Sequence, residues 1–136
     1  MSRRLARETA LQVLYQIDMT KNDVNTAIDY TLNQLAIRDD VIPFMKELVN
    51  GTLEHQVKAD EIISKLSKDW NLERMATVDR NILRLALYEI LFREDIPTSV
   101  SVNEAIELAK TFSNEESGKF VNGILGNVVE KIDQYR

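Results

Sequence analysis

The segment Pro97 to Gly126 reads PTSVSVNEAIELAKTFSNEESGKFVNGILG and holds two amphipathic helices separated by one short break. Ser101 precedes Glu104 by three residues, the spacing of a capping box. In that motif the hydroxyl accepts from the amide of the third helical residue and the carboxylate reaches back. Ser113 and Glu116 repeat the spacing twelve residues later, so the first helix is expected to end near Phe112. Its apolar stripe is Val102, Ala105, Ile106 and Ala109, and the next helix carries Val121, Ile124, Leu125, Val128 and Ile132. Gly123 and Gly126 interrupt the second stripe, each at a cost of about 1 kcal/mol relative to alanine. They lie to its side, which leaves two uses open: close packing against another helix, or a face kept bare for an external molecule. Lys119, Phe120, Gly123 and Asn127 share that flank. An aromatic at the border of a core beside a lysine points to a binding surface.

Upstream of this pair lies the most apolar helix, expected over Val78 to Phe92. Ile82, Leu83, Leu85, Ala86, Leu87, Ile90 and Leu91 leave only the narrow strip Arg80, Arg84 and Tyr88, so the helix is expected to be buried nearly all round. An arginine among such neighbours either holds a carboxylate from another helix or reaches the surface to hold a phosphate. Glu89 stands four residues before Arg93, the spacing of a helical ion pair. Pro97 closes this region and keeps Ile96 extended.

The first helix is expected from a Ser2 cap to about Met19, with Ala6, Ala10, Val13, Leu14 and Ile17 facing the core. A neighbouring stripe holds Arg4, Arg7, Leu11 and Tyr15, with Arg3 just before it. Arginine at a helix start opposes the macrodipole by about 0.3–1 kcal/mol each. Guanidinium for phosphate and a ring for an unstacked base are the chemistry of single-stranded RNA binding. The plainer alternative is a solvated helix start with Tyr15 half-buried, and composition alone favours it. Two middle helices follow, the first capped by Asn22 or Asp23 and the second opened by Asp39 and Asp40. Asn50-Gly51 would ordinarily read as a turn, but the stripe runs through it to Leu53 and Val57, which places Gly51 inside a helix at a close crossing. A fourth, after a bend at His55 to Lys58, carries Ile62, Ile63, Leu66 and Trp70. A short joint at Asn71 to Ala76 leads into the apolar helix.

The totals narrow the function. Two prolines and four glycines in 136 residues leave little room for turns, which makes the chain all-α. A hydrophobic fraction of 44% against 29% charged residues suits one folded domain over residues 1–136. The net charge of −5 argues against non-specific coating of nucleic acid, yet allows a local basic patch and suits a basic protein partner. Without cysteine there is no thiol nucleophile or thiolate metal site, which fits a reducing cytoplasm. His55 is the one histidine, and no phosphate loop, nucleophile elbow or metal motif occurs, so neither catalysis nor a cofactor or metal is expected. No apolar run approaches the ~20 residues of a membrane span.

Taken together, the blocks ARETALQVLYQ (Ala6 to Gln16), LVNGTLEH (Leu48 to His55), VDRNILRLALYEIL (Val78 to Leu91), IPTSVSVNEAIELAK (Ile96 to Lys110) and KFVNGIL (Lys119 to Leu125) resemble the NusB family of bacterial transcription factors. Their order and spacing match over essentially the whole chain. The resemblance implies two roughly perpendicular three-helix bundles, about seven helices in all. It also implies a role in antitermination on ribosomal RNA operons, through boxA RNA bound together with the ribosomal protein NusE. That complex joins NusA, NusG and RNA polymerase, and a homodimer is compatible with the sequence. By the same resemblance the RNA-facing residues are Arg3, Arg4, Arg7, Tyr15, Lys119 and Phe120, with Arg84 as a further member. The NusE-facing surface includes acidic positions near Glu73 and Asp79. Leu5 stands where some relatives carry another arginine, which implies fewer released counterions and a shallow salt dependence. The rival reading is a non-catalytic helical protein-interaction module that never touches RNA.

Overall fold

The computed structural model describes residues 2–67 and 75–136. Over these it is helical, with no strand: α1 (Arg3–Thr20), α2 (Val24–Gln34), a 3-10 turn (Asp39–Val41), α3 (Ile42–Glu54), α4 (Gln56–Leu66), α5 (Thr77–Phe92), α6 (Thr98–Phe112), α7 (Glu115–Glu130) and the single turn α8 (Ile132–Tyr135). Helices α1, α2 and α3 pack as one group of three, and α5, α6 and α7 as a second. Helix α5 also packs on α1, α3 and α4, so it is the shared wall between the groups.

Burial explains that position. Ile82, Leu83, Leu85, Leu87 and Ile90 are each at most 1% exposed. Each such side chain contributes about 1.5–3 kcal/mol of transfer free energy. No single outward face remains for solvent, as the apolar run predicts. Gly51 sits inside α3 where that helix crosses α5, and a Cβ there would land on the Tyr88 ring. The Asn50-Gly51 pair is therefore a crossing and not a turn. Val57 does not extend the α3 stripe, because α3 ends at Glu54 and Val57 points to solvent from α4. Trp70 and most of the Asn71 to Ala76 joint lie outside the described residues.

The start of α1 follows the sequence: Ser2 Oγ accepts from the Leu5 amide at 3.1 Å. Asp23 caps α2 by accepting from the Thr26 amide at 2.8 Å. Both expected capping boxes in the carboxyl-terminal half are replaced by other arrangements. Helix α6 begins at Thr98, directly after Pro97, which leaves Ser101 one turn inside it. There the Ser101 hydroxyl donates to Glu89 Oε1 at 3.0 Å, because an interior carboxylate offers a stronger acceptor contact than a local cap. At the second break Asn114 is the cap, accepting from the Ser117 amide at 2.8 Å, while Ser113 exchanges a 2.7 Å hydroxyl bond with Ser117. The expected Glu89–Arg93 pair is also absent. Arg93 bonds Asp95 and Glu47 instead, and Glu89 turns to the interior. Of the two uses open for Gly123 and Gly126, close packing is excluded: a Cβ at either would meet nothing within 4 Å.

Candidate nucleic-acid interface

Three arginines open α1, and the helix period sends them different ways. Arg3 is exposed and lies with its guanidinium carbon 4.4 Å from the centroid of the Phe44 ring on α3. Arg4 is 58% exposed, yet it is paired: its Nε and Nη2 donate to the two Glu104 oxygens at 3.2 and 2.6 Å. Arg7, expected to face RNA, is 3% exposed and turned into the molecule. Its Nε and Nη2 donate to Glu89 Oε2 and Oε1, both at 2.9 Å, and Ser101 completes the acceptor shell of that carboxylate. The correction has a simple cause. Arg7 lies one residue after Ala6 and three before Ala10, both fully buried, so the helix carries it to the edge of the core where Glu89 waits.

Arg84 is likewise buried and belongs to no surface. Its Nε and Nη2 donate to Asp60 at 2.7 and 3.0 Å, and its Nη1 donates to Asp18 at 3.1 Å. Of the two uses read for this arginine, it holds carboxylates from other helices. Asp18 also accepts from Arg80 and Asn81. Burial pushes the Asp18 carboxyl up, but the bonds from Arg80 and Asn81 and the charges of Arg80 and Arg84 together hold it below its ordinary value.

Of the two aromatic rings, Tyr15 is open to solvent and Phe120 is partly so. Tyr15 is 38% exposed and lines a groove of about 290 Å³ between α1 and α2, with Val78 and Phe112 at its far side. Phe120 is half-buried against the core edge and lines a cavity of about 510 Å³ with Met75, Ala76, Asp79 and Ser117. Val78 and Asp79 are consecutive in the first turn of α5, so the two concavities flank one helix start. Lys119, beside Phe120, is 76% exposed with its amine 3.7 Å from Glu116.

Asp79, expected on an acidic partner-facing surface, is 9% exposed. Its Oδ2 accepts from the Ser117 hydroxyl at 3.1 Å, and its Oδ1 is buried with no hydrogen-bond partner among the described residues. Burial raises this carboxyl above its ordinary value, and the Ser117 bond offsets only part of that. Asp79 is thus the floor of the Phe120 cavity, not a free surface acid. Glu73 lies outside the described residues.

Sequence reading missed several neighbours of the rings. Tyr30, 51% exposed, and the amides Gln12, Gln16 and Gln34 line the Tyr15 groove. Only the i, i+4 placement of Gln12 and Gln16 around Tyr15 signalled this, since α2 reaches the groove through tertiary packing. No group of three or more His, Cys, Asp or Glu side chains that could hold a metal occurs among the described residues.

Comparison with known proteins places this geometry. The model of the NusB family matches residues 4–130. A transcription antitermination protein NusB of Desulfitobacterium hafniense is 57% identical over 136 aligned positions, covering 98% of this chain and 92% of that protein. Among solved structures, NusB of T. maritima superposes with a TM-score of 0.86 at 36% identity, covering 96% of this chain and 92% of the other. A structure of the antitermination factors NusB and NusE in complex with double-stranded RNA matches with a TM-score of 0.83 at 29% identity, covering 95% of this chain and 96% of that one.

Proposed function

The chain belongs to the NusB family, and on that premise we propose that it is a non-catalytic antitermination factor that binds boxA-type single-stranded RNA together with the ribosomal protein NusE. The observation that carries the reading is the pair of rings, Tyr15 open and Phe120 partly open to solvent, on either side of the α5 start. Arg3 and Arg4 supply phosphate contacts from one side of this platform and Lys119 from the other. The rings take unstacked bases, at about 1–3 kcal/mol per stacked base. Arg7 and Arg84 serve it indirectly, as the buried struts that tie α5 to α1.

A structural relative has been solved with NusE and RNA bound, which supports the same partners here. The acidic balance of −5 suits a basic ribosomal protein, whose own charge would add to the RNA site. NusA, NusG and RNA polymerase complete the proposed assembly, and the cytoplasm is its setting. Among the described residues no helix is long and apolar enough to cross a membrane.

The test is titration of a boxA-type oligonucleotide and a scrambled control, with and without NusE, against the natural chain and the Tyr15→Ala and Phe120→Ala variants. Each variant is expected to lose roughly 5- to 150-fold in affinity, the equivalent of one stacked base, with melting unchanged for Tyr15→Ala and lowered but still cooperative for Phe120→Ala, which packs on the core edge. Equal affinity for both RNAs, untouched by either substitution, would leave the protein-interaction module as the reading that survives.

A further inference from the structure

We propose that Glu104 is an affinity-setting residue of the RNA platform, an internal carboxylate that occupies Arg4 and must be displaced before that arginine can meet a phosphate. The inference rests on the RNA reading above and adds Glu104, which that reading left out.

Among the described residues, Arg4 is the most exposed guanidinium that makes a close ion pair with a far-off part of the fold: its partner lies 100 residues away, on α6. The contact is bidentate, which is the geometry a phosphate would also use. Glu104 cannot easily swing aside. It is 12% exposed, sits on a helix and not on a loop, and has its Oε1 also 3.5 Å from Nη1 of the buried Arg7. Glu8 and Glu107 line the same groove, so three carboxylates surround two guanidiniums. One of those guanidiniums, that of Arg7, is already satisfied by Glu89. The surroundings of Arg4 therefore repel an incoming phosphate, although Arg4 itself attracts one.

Titration behaviour agrees with this geometry. The Arg4 bond, then the charges of Arg4 and Arg7, outweigh burial and hold the Glu104 carboxyl below its ordinary value. Glu104 hence stays ionised throughout the neutral range and remains a competitor. Arg3 is built differently. It leans on the neutral Phe44 ring, and its interaction with the Asp95 carboxylate is a charge effect without the close bidentate contact that holds Arg4. Two adjacent arginines thus have different roles, one available and one withheld.

The experiment measures binding of a boxA-type single-stranded oligonucleotide by the full chain at several salt concentrations, for the natural protein, Glu104→Gln, Arg4→Ala and the double variant. Glu104→Gln is expected to tighten binding about twofold to fivefold, the scale of one exposed ion pair. It should also steepen the plot of log affinity against log salt by about 0.7, one added phosphate contact on a single strand. In the double variant both gains should vanish. Glu107→Gln, which leaves the Arg4 bonds intact, should give a smaller gain and serves as the second probe if Glu104→Gln melts early. Unchanged or weaker binding by Glu104→Gln would overturn the inference and make Glu104 a support for Arg4. A gain that survives in the double variant would overturn it too, since the effect would then be a general field. Failure of the platform itself reads differently: Tyr15→Ala and Phe120→Ala would then bind RNA as the natural chain does.

Discussion

The interior arginines and the rim arginines of this molecule share a chemistry and divide its consequences. Arg7 and Arg84 are buried, each held by two or more charge-assisted bonds to carboxylates on other helices. Arg3 and Arg4 stand at the rim, one on an aromatic face and one on a carboxylate it shares with Arg7. Counting guanidiniums on α1 would assign all three to RNA. Burial shows that one of the three is a structural strut, so the local basic charge available for phosphate is smaller than the sequence suggests. With Arg7 withdrawn from the rim, the proposed joint binding with a basic ribosomal protein would add cationic charge that α1 does not offer.

The sharpest way to break this division is Arg7→Ala. Removing one member of a buried, hydrogen-bonded pair strands Glu89 in the core, at an expected cost of about 3–5 kcal/mol in unfolding free energy. Denaturant titration checks it, and a loss below ~1 kcal/mol would move Arg7 back among the rim residues.

A smaller effect separates the two interior carboxylates. Asp18 has a folded-state value below its ordinary 3.8, so it stabilises the fold above that pH, and the contribution disappears as pH falls below 3.8. Asp79 is raised by burial, so the opposite sign applies: stability declines as pH climbs from 3.8 through its folded-state value. Asp79→Asn should therefore raise the melting temperature at neutral pH and flatten its decline over that window. Asp18→Asn should lower the melting temperature at neutral pH, with the difference from the natural chain shrinking in acid. Melting curves across pH for both variants read the two signs directly.

The smallest expected change is at the rim. Arg3→Ala and Arg4→Ala should each leave the denaturation midpoint almost unchanged, because exposed pairs contribute little. Guanidinium denaturation of either variant, set beside Arg7→Ala, would show whether three arginines within five residues differ as burial says they do.

Much of this was readable before any coordinates. Helix periodicity located α1, α5, α6 and α7 to within a few residues, and the continuous apolar run in α5 foretold its burial. The Ser2 cap was legible, and the α2 cap was narrowed to Asn22 or Asp23, because capping is a contact between neighbours in the chain. The Ser101–Glu104 motif misled for the reverse reason. Its spacing is that of a cap, but both side chains found stronger partners far away, Glu89 for the serine and Arg4 for the glutamate. The burial of Asp79 was not legible either, since a side chain at the first turn of a buried helix inherits the burial of its helix.

What the sequence determined by itself was the set of amphipathic segments, the all-helical class and the family resemblance, because periodicity and local spacing are properties of neighbouring residues. Only the tertiary structure decided which arginines remain available. A guanidinium goes to whichever carboxylate packing brings within reach, and residues 82 or 100 positions apart meet only when the helices fold together.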